Sequence, residues 1–451
     1  MSLVAALRTG RAVHTTSATL ASSAGVIVHS RGYAAAVKPA KKVSSKFKAN
    51  SGREDKEKQG PRDAGAYHPM PVNSLSDPVF QTENITSLQL PTFRPEAITP
   101  SAVAKPMAFP QGESKALKAY GLPRNILVDH LLLTKPCSVI RESTVDLLDQ
   151  LDKASGSSSK DTRVVLTGKT GCGKSYLLLQ AVQYSIQKEW ISLYIPRAIN
   201  LVNSSSSYAY DARTQTYGQP AFAQQLLKRF VDVNEAHVRS LATQAAYTFD
   251  DGREFSSGAQ VMDLINLGLE NQNQAPTVLT ALLDELAKQT TYPVLLAIDD
   301  FQALYCMSQY RDPFFKSIKA YHLTFPRTLL EFASGKKSFA RGAVLGALST
   351  QNTTFRVPLE LVESLGLVPS VPTNPYVRRE AELLEYAKGL KNFPVPERLS
   401  IDEAASLFDL WHQTKALHIP RGDEIFLAKY TESGGNAREF VKKGILQTVT
   451  V

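Results

Sequence analysis

A three-layer α/β domain, built on a mostly parallel sheet and followed by a helical lid, is the fold class that three features of the sequence predict. The first is a short apolar run, Arg163-Val-Val-Leu-Thr, leading through a glycine-rich turn into a helical stretch over 176–187. The second is a set of further apolar runs at 191–195, 292–300 and 343–348, separated by amphipathic stretches. Short, evenly apolar runs joined by helical patterns read as buried parallel strands with crossover helices. The third is a purely helical pattern beyond 375, which reads as a separate helical layer.

The 451 residues are 43% hydrophobic and 21% charged, enough for about two or three ordinary globular domains. No run of about eighteen apolar residues occurs, so no membrane span is expected. Cys137, Cys172 and Cys306 lie far apart and form no C-x-x-C pair. That excludes a cysteine zinc site and a disulfide framework, and suits a reducing interior. The formal net charge is +9, yet nine basic residues and no acidic one precede residue 54. Removing these nine from the 51 basic residues leaves 42, against 42 acidic residues, so the remaining body is formally neutral.

Residues 1–33 are rich in Arg, Ser, Thr and Ala and lack acids, and Leu3, Val4, Leu7, Arg8 and Arg11 segregate on a helix. This is the composition of a mitochondrial transit peptide, and it predicts a matrix protein. Arg31-Gly-Tyr33 before Ala34 resembles a processing site. The stretch 34–65 stays polar and basic, either an arm on RNA phosphates or a solvated linker. Prolines at 69, 71, 78, 91, 95, 100, 106 and 110 make 66–112 an extended segment that wraps the domain or a partner. The predicted nucleotide-binding domain then spans 113–370, with a polar, Gln- and Ser-rich insertion at about 200–275, and a lid spans 371–451.

The turn after 163–167 fits G-x-x-x-x-G-K-[ST], with Gly168, Lys169, Thr170, Gly171, Cys172, Gly173, Lys174 and Ser175, followed by Tyr176. Glycines let backbone N–H groups converge, and the helix start adds partial positive charge, so the loop cradles phosphate oxygens. Lys174 would reach the outer phosphates and the Ser175 hydroxyl would meet Mg²⁺. Cys172 is either a redox-sensitive thiol or a small residue tolerated in the turn. The run Tyr292-Pro-Val-Leu-Leu-Ala-Ile-Asp-Asp ends at Asp299 and Asp300. Asp299 is the expected metal partner of Ser175, and Asp300 is either the base for an attacking water or a strand-end acid. Ser349-Thr350-Gln351-Asn352 after the next strand either senses a terminal phosphate or closes a loop. A helix is expected over 313–333, and Arg327 and Arg341, both before the strand at 343–348, are candidates for phosphate or partner contacts. In the last 75 residues, helices are expected at 378–390, 401–414, 424–430 and 436–446. Gly434-Gly-Asn-Ala-Arg438 opens the last, and resembles the lid of AAA-type P-loop NTPases, where an arginine reaches the nucleotide. Arg438 is the candidate for that role.

The Asn-Lys-x-Asp signature of small regulatory GTPases is absent, so the base is not legible from motifs. The combination of basic leader, Gly-Lys-Thr-Gly-Cys-Gly-Lys-Ser with Tyr-Leu-Leu-Leu-Gln, Leu-Leu-Ala-Ile-Asp-Asp-Phe-Gln-Ala, and Ser349-Thr-Gln-Asn resembles the mitochondrial small-ribosomal-subunit GTP-binding proteins, the death-associated protein 3 family. The resemblance covers roughly 115–450, with 200–275 poorly matched. It implies a structural component of the mitochondrial ribosome with bound GTP or GDP and Mg²⁺, supporting mitochondrial translation. The partners it implies are small-subunit proteins and rRNA, with large-subunit contacts at the intersubunit face. The alternative is a turning-over AAA-like NTPase acting as a switch or assembly factor. A small-molecule kinase is disfavoured because no acceptor-site pattern is visible.

Overall fold

Five segments assemble into one parallel sheet in a computed structural model of the chain: β1 (Arg163–Thr167), β2 (Ile191–Ile195), β3 (Val294–Asp299), β4 (Gly342–Ala347) and β5 (Lys391–Pro394). Their order is β5-β1-β4-β3-β2. The structure describes residues 66–67, 88–110, 115–133, 135–249, 252–369, 374, 376–414 and 421–445. The chain divides into one unit over 1–60 and a second over 61–451. The leader, its processing motif and the basic arm to 65 lie outside the described residues, and the sheet belongs to the second unit.

Strands β1 to β4 are buried at every position, as their unbroken apolar runs require. Gly342, which opens β4, has φ 132°, and a Cβ there would lie 1.9 Å from the Val294 carbonyl oxygen. Only glycine allows β4 to enter beside β3. Register aligns Ala347 with Asp299 on one side and with Leu166 on the other. The carboxyl ends of β1, β3 and β4 therefore finish level, and the loops that leave them share one edge of the sheet.

The connecting helices are α1 (Glu142–Ala154), α2 (Lys174–Gln187), α3 (Pro220–Arg239), α4 (Val261–Glu270), α5 (Ala275–Lys288) and α6 (Thr324–Ser334). The β1-to-β2 crossover runs along the sheet in one direction and the β3-to-β4 crossover in the other. With right-handed connections, α2 and α6 fall on opposite faces, which makes the three layers. In the stretch read as a polar insertion, Leu226, Leu227 and Phe230 of α3 and Leu264 and Ile265 of α4 join the main core. Its polar residues occupy the outer faces of amphipathic helices.

Two expectations change. The 313–333 stretch is helical only from Thr324, because Met307–Arg311 and Ser317–Lys319 pair as an antiparallel hairpin. Asp312 Oδ1 accepts the N–H groups of Phe314 and Lys316, at 2.9 and 2.8 Å, and fixes that turn. The 378–390 helix shortens to Ala381–Ala387, and β5 follows it into the sheet beside β1. The sheet thus reaches past residue 371, and the helical layer starts near 400.

That layer holds α7 (Ile401–Gln413), α8 (Asp423–Glu432) and α9 (Ala437–Glu439), the last running on as a wide π turn over Phe440–Ile445. Ser400 and Glu403 cap α7 reciprocally, each side chain taking the other's backbone N–H at 3.1 Å. Phe408, Trp411, Phe426 and Phe440 form a second core together with Leu88, Ala108, Leu133 and Cys137. The described part of the proline-rich lead-in therefore wraps the domain: Phe93 donates its N–H to the Ala108 carbonyl, and Pro106–Ala108 pairs with Cys137–Val139. Among the described residues no helix is long and apolar enough to cross a membrane.

Candidate functional site

The loop after β1 curls because Gly168, Gly171 and Gly173 take φ of 139°, 85° and 101°, where a side chain is strained. Among the described residues, the backbone N–H groups of Gly171, Gly173, Lys174, Ser175 and Tyr176 donate to no backbone acceptor in a turn or loop. A cluster of unspent donors at a helix start is an anion site in waiting. Lys174 is buried, and its ammonium bends back onto the loop, 2.7 Å from the carbonyl oxygens of both Gly168 and Lys169. Those oxygens hold the cation at the mouth of the cradle, from which it would turn toward a phosphate. The residues fit a phosphate group on the chemistry of this donor set.

Asp299 ends β3 inside the fold and accepts a hydrogen bond from the Ser175 hydroxyl. Burial, then the neighbouring Asp300 charge, holds the Asp299 carboxyl above the usual carboxylate range. A carboxylate kept in an apolar setting beside a hydroxyl and a lysine fits a hard cation that would supply the missing positive charge. Ser175 and Asp299 are the residues that would hold Mg²⁺, which when bound draws charge from phosphate oxygens. Among the described residues no group of three His, Cys, Asp or Glu side chains forms a metal site, so such an ion depends on the phosphates for its other ligands.

Asp300 adopts φ 55° and donates its own N–H to Asp299 Oδ1 at 2.9 Å. Burial raises its pKa, while a hydrogen bond with Ser349 and the Arg197 guanidinium, 3.9 Å away, oppose the rise. The structure thus brings Asp300 to the site but engages it with Arg197 and Ser349. Thr350 and Gln351 also arrive: the Thr350 and Thr170 hydroxyls share a hydrogen bond of 2.5 Å, and Gln351 Oε1 accepts from the Arg438 guanidinium at 2.7 Å. Arg327 and Arg341 stay away. Arg327 pairs with Glu331, and Arg341 caps the carbonyls of Ser155, Thr290 and Thr291 beside the amino end of β4.

Arg438 touches the loop through its backbone, donating its N–H to the Gly171 carbonyl at 3.1 Å. Asn436 beside it donates to the Thr170 carbonyl at 3.0 Å while capping α9 with its side-chain oxygen. A Cβ on Gly171 would lie 2.5 Å from Asn436 Oδ1 and 2.8 Å from the Arg438 Cβ, so this glycine is the seat of the lid. A second tie went unread in the sequence. Arg141 donates to the Cys172 carbonyl at 2.7 Å, to those of Pro396 and Arg398 at 3.3 and 3.1 Å, and to Glu403 at 3.1 Å. Ser400-x-x-Glu403 has capping-box spacing that the sequence reading did not use, and nothing local marks the partner of Glu403 262 positions away. Cys172 is buried against the loop with its sulfur 3.6 Å from the Lys174 ammonium.

A cavity of about 650 Å³ is lined by Lys174, Ser175, Asp299 and Asp300 and also by Trp411 and Val441 of the helical layer. Its volume suits a nucleotide-sized ligand. Residues 138–443, more than half of the chain, match the family described as mitochondrial ribosomal death-associated protein 3. The chain belongs to that family. It is similar to small ribosomal subunit protein mS29 of Neurospora crassa, at 27% identity over 328 residues, 70% of this chain and 69% of the relative. Against the protein of that name in Schizosaccharomyces pombe the identity is 26%, over 66% of this chain and 62% of the relative. For Mus musculus it is 23%, over 64% and 78%. The family match spans both the loop from Gly168 to Ser175 and the Asn436–Arg438 segment seated on it.

Proposed function

We propose that this protein is a structural component of the mitochondrial small ribosomal subunit, in the matrix, that holds GTP or GDP with Mg²⁺ and so supports mitochondrial translation. Family membership and the relatives' names support the ribosomal part. One observation carries the nucleotide part: the lid is hydrogen-bonded to the same loop whose N–H groups are unspent. A ligand bound there ties the sheet domain to the lid. The β5-β1-β4-β3-β2 order, with β4 between the loop strand and the acid strand, supports an AAA-like P-loop NTPase domain. In this reading the loop from Gly168 to Tyr176 binds phosphates, Ser175 and Asp299 hold Mg²⁺, and Arg438 reaches over the nucleotide.

Binding alone would stabilise the fold by about 4 kcal/mol at a thousandfold excess over Kd, so no chemistry is required of the ligand. Neighbouring small-subunit proteins and rRNA are the proposed partners, with large-subunit contacts at the intersubunit face. Turnover with Asp300 as base is the second reading, favoured by the place of Asp300 in the cavity wall and opposed by its engagement with Arg197 and Ser349. The test is sedimentation of a mitochondrial lysate at high salt. The protein should travel with the small subunit, and recovery wholly in the soluble fraction would refute the ribosomal role.

A further inference from the structure

Beyond the acid strand β3 the chain builds a surface that the nucleotide site does not use. Phe301–Tyr305, buried at every residue, leads from Asp300 into the antiparallel hairpin of Met307–Arg311 and Ser317–Lys319. Ser308, Tyr310 and Ile318 are buried and root the hairpin in the fold. The Tyr310 hydroxyl accepts the Gln219 amide at 2.8 Å, and its ring lies 4.8 Å from that of Tyr208, between centroids. The tip is the reverse: Phe314 and Phe315 are 82% and 79% exposed. Phe315 also has a φ of 62°, a conformation that glycine or asparagine adopts at less cost than an aromatic residue. Asp312 holds it there, donating its N–H to the Lys316 carbonyl and accepting the Phe315 N–H at its own, both at 2.9 Å. The Arg311 guanidinium adds a hydrogen bond to the Phe315 carbonyl at 2.8 Å. A strained turn thus keeps two rings in water, where neither contributes to the core.

The charges around the rings favour one class of partner. Asp312 is the one carboxylate between Met307 and Lys319, and its Oδ1 is taken by the N–H groups of Phe314 and Lys316. Lys319 pairs with Glu380, whereas Arg311 and Lys316 make no ion pair among the described residues. Tyr208 of the adjoining loop, also exposed, donates its hydroxyl to the Arg311 carbonyl at 2.5 Å. Exposed rings bracketed by cations that lack a carboxylate are the composition that stacks unpaired bases and meets their phosphates. The centre of a protein–protein contact, by contrast, is depleted in lysine. We propose that this hairpin tip binds single-stranded RNA, with Phe314 and Phe315 stacking on unpaired bases and Arg311 and Lys316 on the adjoining phosphates. The inference rests on the ribosomal reading and names a surface that would engage rRNA. Duplex RNA does not suit the tip, because its bases are already stacked on one another.

Fluorescence anisotropy of the full chain with labelled oligouridine of about 12 nucleotides, and with an RNA duplex of the same length, tests this. The wild type should prefer the single strand. Phe314→Ser combined with Phe315→Gly removes both rings and puts glycine where φ is 62°, so Tm should hold or rise. The same double variant should bind the single strand about 10- to 100-fold more weakly and lose its preference over the duplex. Single-strand affinity within about threefold of wild type in the double variant overturns the inference. Ultraviolet crosslinking of purified small subunits supplies a second readout, with a nucleotide adduct expected on the peptide that carries Phe314 and Phe315. Adducts on other peptides of this chain but not on that one, or a protein crosslink in its place, also overturn it. Sedimentation separates the two readings. If the chain travels with the small subunit while the double variant binds the single strand as wild type does, only the hairpin assignment fails. If the chain stays soluble, the ribosomal reading fails whatever the hairpin binds.

Discussion

Replacing Arg141 by Gln should loosen the hold of the helical layer on the loop from Gly168 to Ser175. The Arg141 and Glu403 side chains are only 13% and 6% exposed, so their 3.1 Å contact is not a solvent-screened surface pair. Removing one member of a buried pair leaves an uncompensated charge, at a cost of about 3–5 kcal/mol. The Cys172, Pro396 and Arg398 carbonyls lose a donor at the same time. A unit spanning 61–451 has an unfolding entropy of roughly 0.8 kcal/mol/K, so Tm should fall by about 4–6 °C. Calorimetry of the purified chain measures this. Arg141→Gln combined with Glu403→Gln removes both charges and should recover about 1–3 kcal/mol of the loss. A fall below about 1 °C for Arg141→Gln, or full additivity in the double variant, would refute the clamp.

The same geometry fixes several other outcomes. Gly171→Ala should weaken nucleotide binding at least tenfold and expose the last helix to proteolysis, because its Cβ would meet Asn436 and Arg438 at a φ of 85°. Lys174→Ala should lose nucleotide, whereas Asp300→Ala should keep it and slow whatever turnover a phosphate-release assay detects. The Asp129 carboxyl is raised by burial from 3.8 to about 6 in the fold, so it favours the native state below about pH 4 and that contribution is lost as pH rises through 6. Melting of nucleotide-free Asp129→Asn across this range should lack that step.

The features legible in the sequence were those that depend on local pattern. β1 to β4, the loop and α2 arise from apolar runs and glycines, and Asp299 and Ser175 meet because one strand end is level with another. β5 was missed because Lys391–Pro394 is an exposed edge strand with a polar face and a terminal proline, and so carries no apolar signature. The stretch 200–275 was read as an insertion because it is polar and rich in Gln and Ser, which hides the buried residues of its two helices. Arg141 was not legible at all, because it acts through Glu403, a partner brought close only by folding.

Under the proposed function, the loop from Gly168 to Ser175 holds a nucleotide as a tie between sheet and lid within the ribosomal subunit. The most direct measurement is chromatographic quantification of nucleotide extracted from small subunits purified at high salt, with this protein counted by mass spectrometry. A guanine nucleotide is expected in near-equimolar amount to the protein. Adenine nucleotide in its place, or none, would contradict it.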